Sequence, residues 1–398
     1  MTQFNITLNM DFLKESVMDS DMEAIVKSTV VLILNEFMEK ERDDYIQAKA
    51  YERIDARKGQ RNGYYERDLT LTIGRVTLRV PRTRDGEFST TLFEKYSRMD
   101  QALVLSLIEM VVQGVSTRKV THIVEQLCGQ KVSKSFVSSL MEKLDPVIEK
   151  WSNRSLADIQ CSYLFLDAMY IKVRENGRVL SKAVYIATAL TMRQRREIIG
   201  YQVSDVESYE AWKQFFQSLK VRGLGRPKLV ISDAHEGLKK AIQTEFQGTA
   251  WQRCTVHFKR NLIQPLPKKD TEEFKAGIKR IFQSLTEAEA RERYRELEEK
   301  FEGQGKYEKA LAILENGFED AIQYLQYPQK MHVLIHSTNA LERLNQEVRR
   351  RERVIRIFPN NRSATRLIGA ILMDKDEEYS SQVLYIALGI YFYTRLRT

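Results

Sequence analysis

Cysteine is scarce. Three thiols, Cys128, Cys161 and Cys254, occur in 398 residues. So few, and an odd number, exclude a disulfide framework and suit a reducing, cytoplasmic setting. Long apolar runs are missing too: none reaches the roughly eighteen uncharged residues of a membrane-spanning helix. The opening Met-Thr-Gln-Phe-Asn lacks the basic-then-apolar layout of a secretory signal. Internal repeats and low-complexity tracts are absent. Charge of one sign does not dominate either, since 63 Lys and Arg against 54 Asp and Glu leave a formal +9. What remains is an ordinary folded composition, with 43 % hydrophobic residues, long enough for two or three domains.

The small basic excess is concentrated in two places. One segment, Arg53 to Arg84, includes Arg57, Lys58, Arg61, Arg67, Arg75, Arg79 and Arg82. The other, Arg343 to Arg366, includes Arg349, Arg350, Arg351, Arg353, Arg356 and Arg362. Arginine dominates both, and its planar fork suits phosphate. Either segment alone reads equally well as a solvated face; two in one chain favour nucleic acid.

Apolar periodicity supplies the N-terminal elements. Val26, Val30, Ile33 and Phe37 recur at helical spacing within 22–42, a stripe for a core or a dimer seam. Arg61-Asn-Gly-Tyr-Tyr65 reads as a turn. Leu69, Leu71 and Ile73, then Val76, Leu78 and Val80, alternate with polar residues around Gly74-Arg75 and predict a β-hairpin, closed by Asp85-Gly86. Residues 99–151 are expected to be helical. Gln101–Gln113 carries an apolar face, Ser116 caps a helix over Thr117–Leu127 that Gly129 ends, and Ser133 caps another from Lys134, interrupted at Pro146. Two short capped helices around a glycine suit a helix-turn-helix or an ordinary helical hairpin. Lys134, Ser135 and Ser138, at the polar start of the second helix, lean it toward DNA.

From Ser162 strands take over. Tyr163–Val173, a tight turn at Asn176-Gly177, Val179–Leu190 and Glu197–Val203 predict an antiparallel meander. A helix over Tyr209–Leu219, a strand over Lys228–Ser232, a helix over Gly237–Phe246 and a last strand over Thr249–Phe258 follow. This α/β order, a meander and then two right-handed crossovers, is the one a ribonuclease H-like mixed sheet uses. Residues 263–330 are charged, poor in β-branched residues and helical in pattern, as in Glu287–Phe301 and Tyr307–Leu325; they read as a helical insertion. Asn339–Arg353 is a further helix. The apolar, aromatic Leu384–Tyr393 is expected to dock on the body. The expected domains are 1–98, 99–155, 156–262, 263–330 and 331–398.

Three carboxylates stand out. Asp167 interrupts the apolar strand Tyr-Leu-Phe-Leu-Asp-Ala-Met-Tyr-Ile, where a charge is costly unless it faces solvent, a hydrogen-bond donor or a cation. Asp233 ends the strand Leu-Val-Ile-Ser, and it or Ser232 could equally cap the next helix. Glu342 fits the third position of a capping box with Asn339 as N-cap. In the proposed fold the strands of Asp167 and Asp233 are adjacent and parallel, so two like charges meet at one sheet end. Divalent cations resolve that conflict, and a third carboxylate from a crossing helix completes a two-metal site. Oxygen-only ligation predicts Mg2+ or Mn2+.

The motifs carrying these residues are similar to those of the Mutator-type transposases of bacterial insertion sequences. They are Tyr163-Leu-Phe-Leu-Asp167, Ser232-Asp233-Ala-His235-Glu-Gly237-Leu238, Trp251-Gln-Arg-Cys254-Thr-Val-His257-Phe and Ser337-Thr-Asn-Ala-Leu-Glu342-Arg-Leu-Asn345. Arg349–Arg353, Phe358-Pro359-Asn360, Arg61–Tyr65 and Gly114-Val-Ser-Thr-Arg-Lys119 also fit. The similarity covers roughly 40–375, departing near the N-terminus and after Asp374, where a tryptophan is expected near Tyr379. It implies a ribonuclease H-like catalytic domain with a helical insertion and an Asp–Asp–Glu triad at Asp167, Asp233 and Glu342. Cys254 and His257 match the family's Cys-x-x-His signature. They are too few for a zinc site, and strand alternation would put them on opposite faces. Cys254 reads as a packed thiol. His257 reads as a structural histidine or as one reaching the scissile phosphate or a carboxylate from beside Asp233; His235 is a weaker candidate.

On the helix of Glu342, Asn345, Gln346, Arg349, Arg353 and Arg356 fall on one face, suited to a DNA backbone leading into the metals or to a solvated rim. Arg61, Arg79, Lys134, Ser135 and Ser138 are the upstream candidates for DNA contact. The implied function is transposition: binding double-stranded DNA at terminal inverted repeats, then cleavage and transfer into target DNA by a homodimer or larger assembly. A structure-selective nuclease of the same fold and a catalytically inactive regulator are the alternatives.

Overall fold

The computed structural model describes residues 22–71, 73–96, 101–128, 132–191 and 195–381. Gly129 and the tail Leu384–Tyr393 lie outside the described residues. The chain divides into two compact units, Met1–Glu142 and Lys143–Thr398. No helix among the described residues is long and apolar enough to cross a membrane.

In the first unit, helix α1 (Met22–Ile46) packs on a hairpin of β1 (Arg61–Leu71) and β2 (Gly74–Thr83). Met38, Leu69, Val76, Leu78, Val80 and Phe93 form the buried cluster, with Val31, Leu34 and Phe37 against it. Each such burial stabilises by roughly 1.5–3 kcal/mol. Internal packing therefore accounts for the apolar side of α1. The stripe is turned relative to the expected one, because Val26 is exposed while Met38 is fully buried. Arg61–Tyr65 is not a turn. It begins β1, with a register shift between Arg61 and Tyr64 and Gly63 at φ 65, a bulge that glycine tolerates.

Helices α2 (Gln101–Val112), α3 (Thr117–Cys128) and α4 (Lys134–Met141) complete that unit. Ser116 accepts from Lys119 N, and Ser133 caps α4 by accepting from Phe136 N at 3.0 Å. Pro146 does interrupt the helix: Glu142–Leu144 is a 3-10 turn, and α5 (Asp145–Ser152) starts afresh with proline in its first turn, where the missing N–H costs nothing.

The second unit holds a five-stranded mixed sheet. Strands β3 (Cys161–Glu175), β4 (Arg178–Thr191) and β5 (Arg196–Ser204) form the antiparallel meander. Short strands β6 (Leu229–Ser232) and β7 (Ala250–Arg253) add in parallel, giving the order β5-β4-β3-β6-β7. Helices α6 (Tyr209–Val221) and α7 (Glu236–Glu245) cover one face, where Trp212, Phe215, Phe216 and Leu238 meet Leu164, Leu166 and Tyr185. Gly200 permits this approach, since a Cβ there would lie 2.7 Å from Leu219. The opposite face receives α13 (Asn339–Ile355) and α14 (Asn361–Ser381).

The last strand is shorter than its apolar alternation suggests. It ends at Arg253, and Thr255–Ile263 is helix α8. The insertion then runs through α9 (Glu272–Ile281), α10 (Glu287–Phe301) and α11 (Glu308–Ala321) to a 3-10 turn at Gln323–Gln326, and α12 (Gln329–Ile335) leads back. Phe274 stacks on Tyr307 within it, and Phe301 meets both rings edge-on. Gln252 ties it to the sheet, donating to Ala321 O and accepting from Tyr324 N, both at 2.8 Å.

Candidate active site

The parallel register sets Phe165 beside Ile231. Two residues further along stand Asp167, within β3, and Asp233, just past the carboxyl end of β6, where ligands of open α/β sheets gather. Strand alternation turns Leu166 into the α6–α7 core and Asp167 to the other face, where Asn345 Nδ2 donates to its Oδ2 at 2.7 Å. The Ala168 N–H donates to Oδ1 at 3.0 Å. Neither bond keeps the carboxyl acidic. Burial first, and then the charge of Asp233, push Asp167 up to about 7. The capping explanation for Asp233 fails, because His235 caps α7 by accepting from Leu238 N at 3.4 Å. Ser232 is occupied elsewhere, donating to Asp233 O and accepting from Trp251 Nε1.

Glu342 does not close a capping box either. Thr338, rather than Asn339, is the N-cap of α13, and no side chain caps it. Glu342 Oε1 instead meets His257 Nε2 at 3.1 Å. His257 thus reaches the site from helix α8, not from a strand. Its closeness to the Cys254 thiol, opposed by burial and helped by the charges of Cys254, Glu342 and Asp167, raises its pKa to about 9. Burial pushes the Cys254 thiol up, but hydrogen bonds from His257 and Thr338 outweigh it and leave it below the usual value. Cys254 is fully buried at the N-cap of α8 and accepts from Thr338 N and Oγ1. It therefore joins the start of the Glu342 helix to the start of the His257 helix.

Among the described residues, no three His, Cys, Asp or Glu side chains are grouped so as to hold an ion. The donor chemistry still suits a hard cation. Glu342 Oε1 is shielded from solvent, and His257 Nε2 at 3.1 Å meets it as a charge rather than as an aligned hydrogen bond. Beside it Asp167 is a buried acid in a field of like charge. Both are groups that a divalent cation would satisfy.

The sequence profile of the Mutator family of transposases matches residues 1–382. The chain belongs to that family. It is 50 % identical over 384 residues, 96 % of this chain and 98 % of the relative, to the transposase for insertion sequence element IS256 in transposon Tn4001 of Staphylococcus aureus. It is 40 % identical to the transposase for ISRM5 of Rhizobium meliloti, covering 91 % of this chain and 90 % of that one. With the transposase for IS1081 of Mycobacterium tuberculosis the identity is 34 %, over 89 % and 85 %. The match extends beyond 40–375 at both ends, wider than the motifs alone delimit.

The remaining candidates on this transposase separate into free and engaged. Arg349, Arg353 and Arg356 are exposed along α13, and Arg356 ends it at φ 66. Arg350 and Arg351 pair with Glu347 instead. Asn345 is buried against Asp167 and is not on the exposed arginine face. Arg362 and Arg366 pair with Asp145. In the first unit Arg61 pairs with Asp43 and Glu39, and Arg79 lies 4.7 Å from the Tyr64 ring centre. Lys134, Ser135 and Ser138 are exposed, while Val137, Leu140 and Met141 bury the other side of α4. The role of Asn345 in holding Asp167 was missed from sequence, although its place three residues after Glu342 was the available signal.

Proposed function

We propose that this transposase cuts and rejoins DNA at the ends of an insertion sequence, on a ribonuclease H-like unit whose acidic centre is Asp167, Asp233 and Glu342. One observation carries the reading. The parallel register brings Asp167, within β3, level with Asp233, just past the end of β6, and Asn345, one turn past Glu342, is bonded to Asp167. The order β5-β4-β3-β6-β7 supports the fold.

Asp167, Asp233 and Glu342 would hold Mg2+ or Mn2+, their oxygens being hard donors. Two such ions, when bound, supply an activated attacking oxygen and a stabilised leaving oxygen. The chain does the rest. Asn345 and the Ala168 N–H fix the Asp167 carboxyl. His257, protonated at neutral pH by its raised pKa, steadies Glu342 and offers positive charge to a phosphate oxygen. Arg349, Arg353 and Arg356 guide the DNA backbone without reading bases. The first unit binds the terminal repeats, with α3 and α4 as a helix-turn-helix. Water opens the first bond and the freed 3′-hydroxyl attacks the second, so no covalent enzyme intermediate forms. Joining two DNA ends calls for a homodimer or larger assembly.

Purified protein incubated with labelled element ends and magnesium tests this directly. Mapping the strands should reveal cleavage at the repeat boundary and joined products. Cleavage without joining would make it a nuclease, and binding alone a regulator.

A further inference from the structure

We propose that the β3–β4 ribbon beyond the sheet is a second DNA track. Its bare face, Tyr170, Lys172 and Arg174, lies on the α6–α7 side of the sheet, across it from Asp167 and the arginines of α13, and would take the sugar–phosphate backbone of a strand that rounds the Asp233 end of β6. The identity of the partner rests on the function proposed above.

The ribbon arises because its neighbours stop early. Strand β6 pairs with β3 only over Tyr163–Phe165, yet β3 and β4 remain paired out to Glu175 and Arg178. The edge vacated by β6 is braced further out by Phe358, whose N–H donates to Lys172 O and whose carbonyl accepts from Arg174 N, both at 2.8 Å. Ile171 and Val173 face inward and are buried, while Tyr170, Lys172 and Arg174 alternate outward and are exposed. Across the ladder Ser181 and Val179 oppose Lys172 and Arg174 and are exposed too. Antiparallel strands of this length usually bury one face and wet the other; here the wet face is cationic and aromatic.

Its charge is uncompensated. Lys172 and Arg174 have no ion-pair partner among the described residues, whereas buried Lys182 on the opposite face holds Glu175 at 2.6 Å and Asp205 at 2.7 Å. The acid nearest the ribbon tip is therefore spent on Lys182. Lys172 and Arg174 stand about 7 Å apart along the strand, far enough for each to meet its own phosphate on one DNA strand. At the foot, Tyr170 is 47 % exposed, and its hydroxyl donates to Glu207 Oε2 at 3.0 Å. Glu207 is held in turn by Trp212 Nε1 at 3.3 Å. The ring is thus fixed beside the cations, the combination of stacking surface and positive charge that single strands bind.

The test uses the full chain, metal-free, with duplex and single-stranded DNA of random sequence, and measures affinity against salt. K172E/R174E should lose at least tenfold in affinity near physiological salt. It should also flatten the log–log salt slope by about two on duplex and slightly less on single strands. K268E/K269E, an equal charge change at exposed loop positions, should leave the slope unchanged. K172Q/R174Q repeats the measurement should the reversal fail to fold. Equal slopes for ribbon and loop variants overturn the track. Because the slopes are measured without metal, failure of the wild-type protein to cut element ends in a separate assay with magnesium would count against the acidic centre and leave the slope comparison standing. Unchanged ribbon slopes in a protein that does join strands would remove the track alone.

Discussion

Asn345 Nδ2 donates to Asp167 Oδ2 at 2.7 Å, and the other amide atom, Asn345 Oδ1, is buried without a hydrogen bond. The pair joins helix α13 to the middle strand of the sheet at the point where the chain concentrates like charge. An amide suits that place because it can donate to an ionised carboxyl and, turned over, accept from a protonated one.

Asp167 consequently costs stability when ionised. Its folded pKa, raised by burial and by Asp233 to about 7 from the ordinary 3.8, means that its stabilising contribution is present below 3.8 and lost as pH rises through about 7. Asp167→Asn keeps the shape of the neutral acid, with Asn345 free to turn. In chelator at pH 8 this variant should be more stable than the wild type by about 1–2 kcal/mol in urea unfolding. The gap should vanish near pH 4, and strand joining should be abolished. A variant less stable at pH 8 would make Asp167 a structural anion.

His257 has the same sign of shift at higher pH. With a folded pKa near 9 against 6.5, it contributes stability that is complete below 6.5 and lost as pH rises through about 9. Cys254, Glu342 and Asp167 are the groups that face it. Metal-free wild-type protein should therefore melt progressively lower between pH 6.5 and 9.5, and His257→Gln should melt with a much flatter profile. Parallel curves for the two proteins would assign the ionisation to another group.

Period-two alternation made the hairpin and the meander legible, because exposed and buried faces must alternate along a strand. The positions of Asp167 and Asp233 were legible because a charge inside an apolar strand, or at its end, needs a reason. Three features were not. Arg61–Tyr65 contains a turn-forming Asn-Gly, yet cross-strand pairing overrides it with a bulge. Residues 254–258 have strand-like apolar content, but Phe258 packs beneath Gly317 of α11, where a Cβ would lie 2.7 Å from its ring, and helix results. Asn345 lies about 60° around the helix from Glu342, toward buried Leu341 and Val348. That border position turns it to the sheet while Arg349 and Arg353 stay in solvent.

Those two arginines should therefore act on DNA uniformly. Arg349→Glu with Arg353→Glu should weaken binding to every sequence by a similar factor, and each lost contact should flatten the salt slope by about 0.9. Titrations on repeat and random duplexes across a salt series measure both. An unchanged slope would return the pair to an ordinary solvated rim.

Discrimination between sequences should reside in α4. Ser133 fixes where this helix starts, and Val137, Leu140 and Met141 fix which side is buried. Lys134, Ser135 and Ser138 are left exposed near its N-terminal end, the part of a recognition helix that meets base edges in the major groove. Lysine can donate to guanine and serine to several bases, each good contact being worth about 1–3 kcal/mol of discrimination. Replacing all three by alanine removes the Ser135 hydroxyl that bonds Ser133 at 2.8 Å but keeps the Ser133–Phe136 capping bond and the buried side, so the melting temperature should nearly hold. Affinity for the terminal repeat should fall toward that for random DNA, while random binding, carried by phosphate contacts, changes little. Footprints on the repeat provide the check. If protection there is identical before and after substitution, recognition belongs to another surface of the first unit, and the hairpin bearing Arg79 becomes the next candidate.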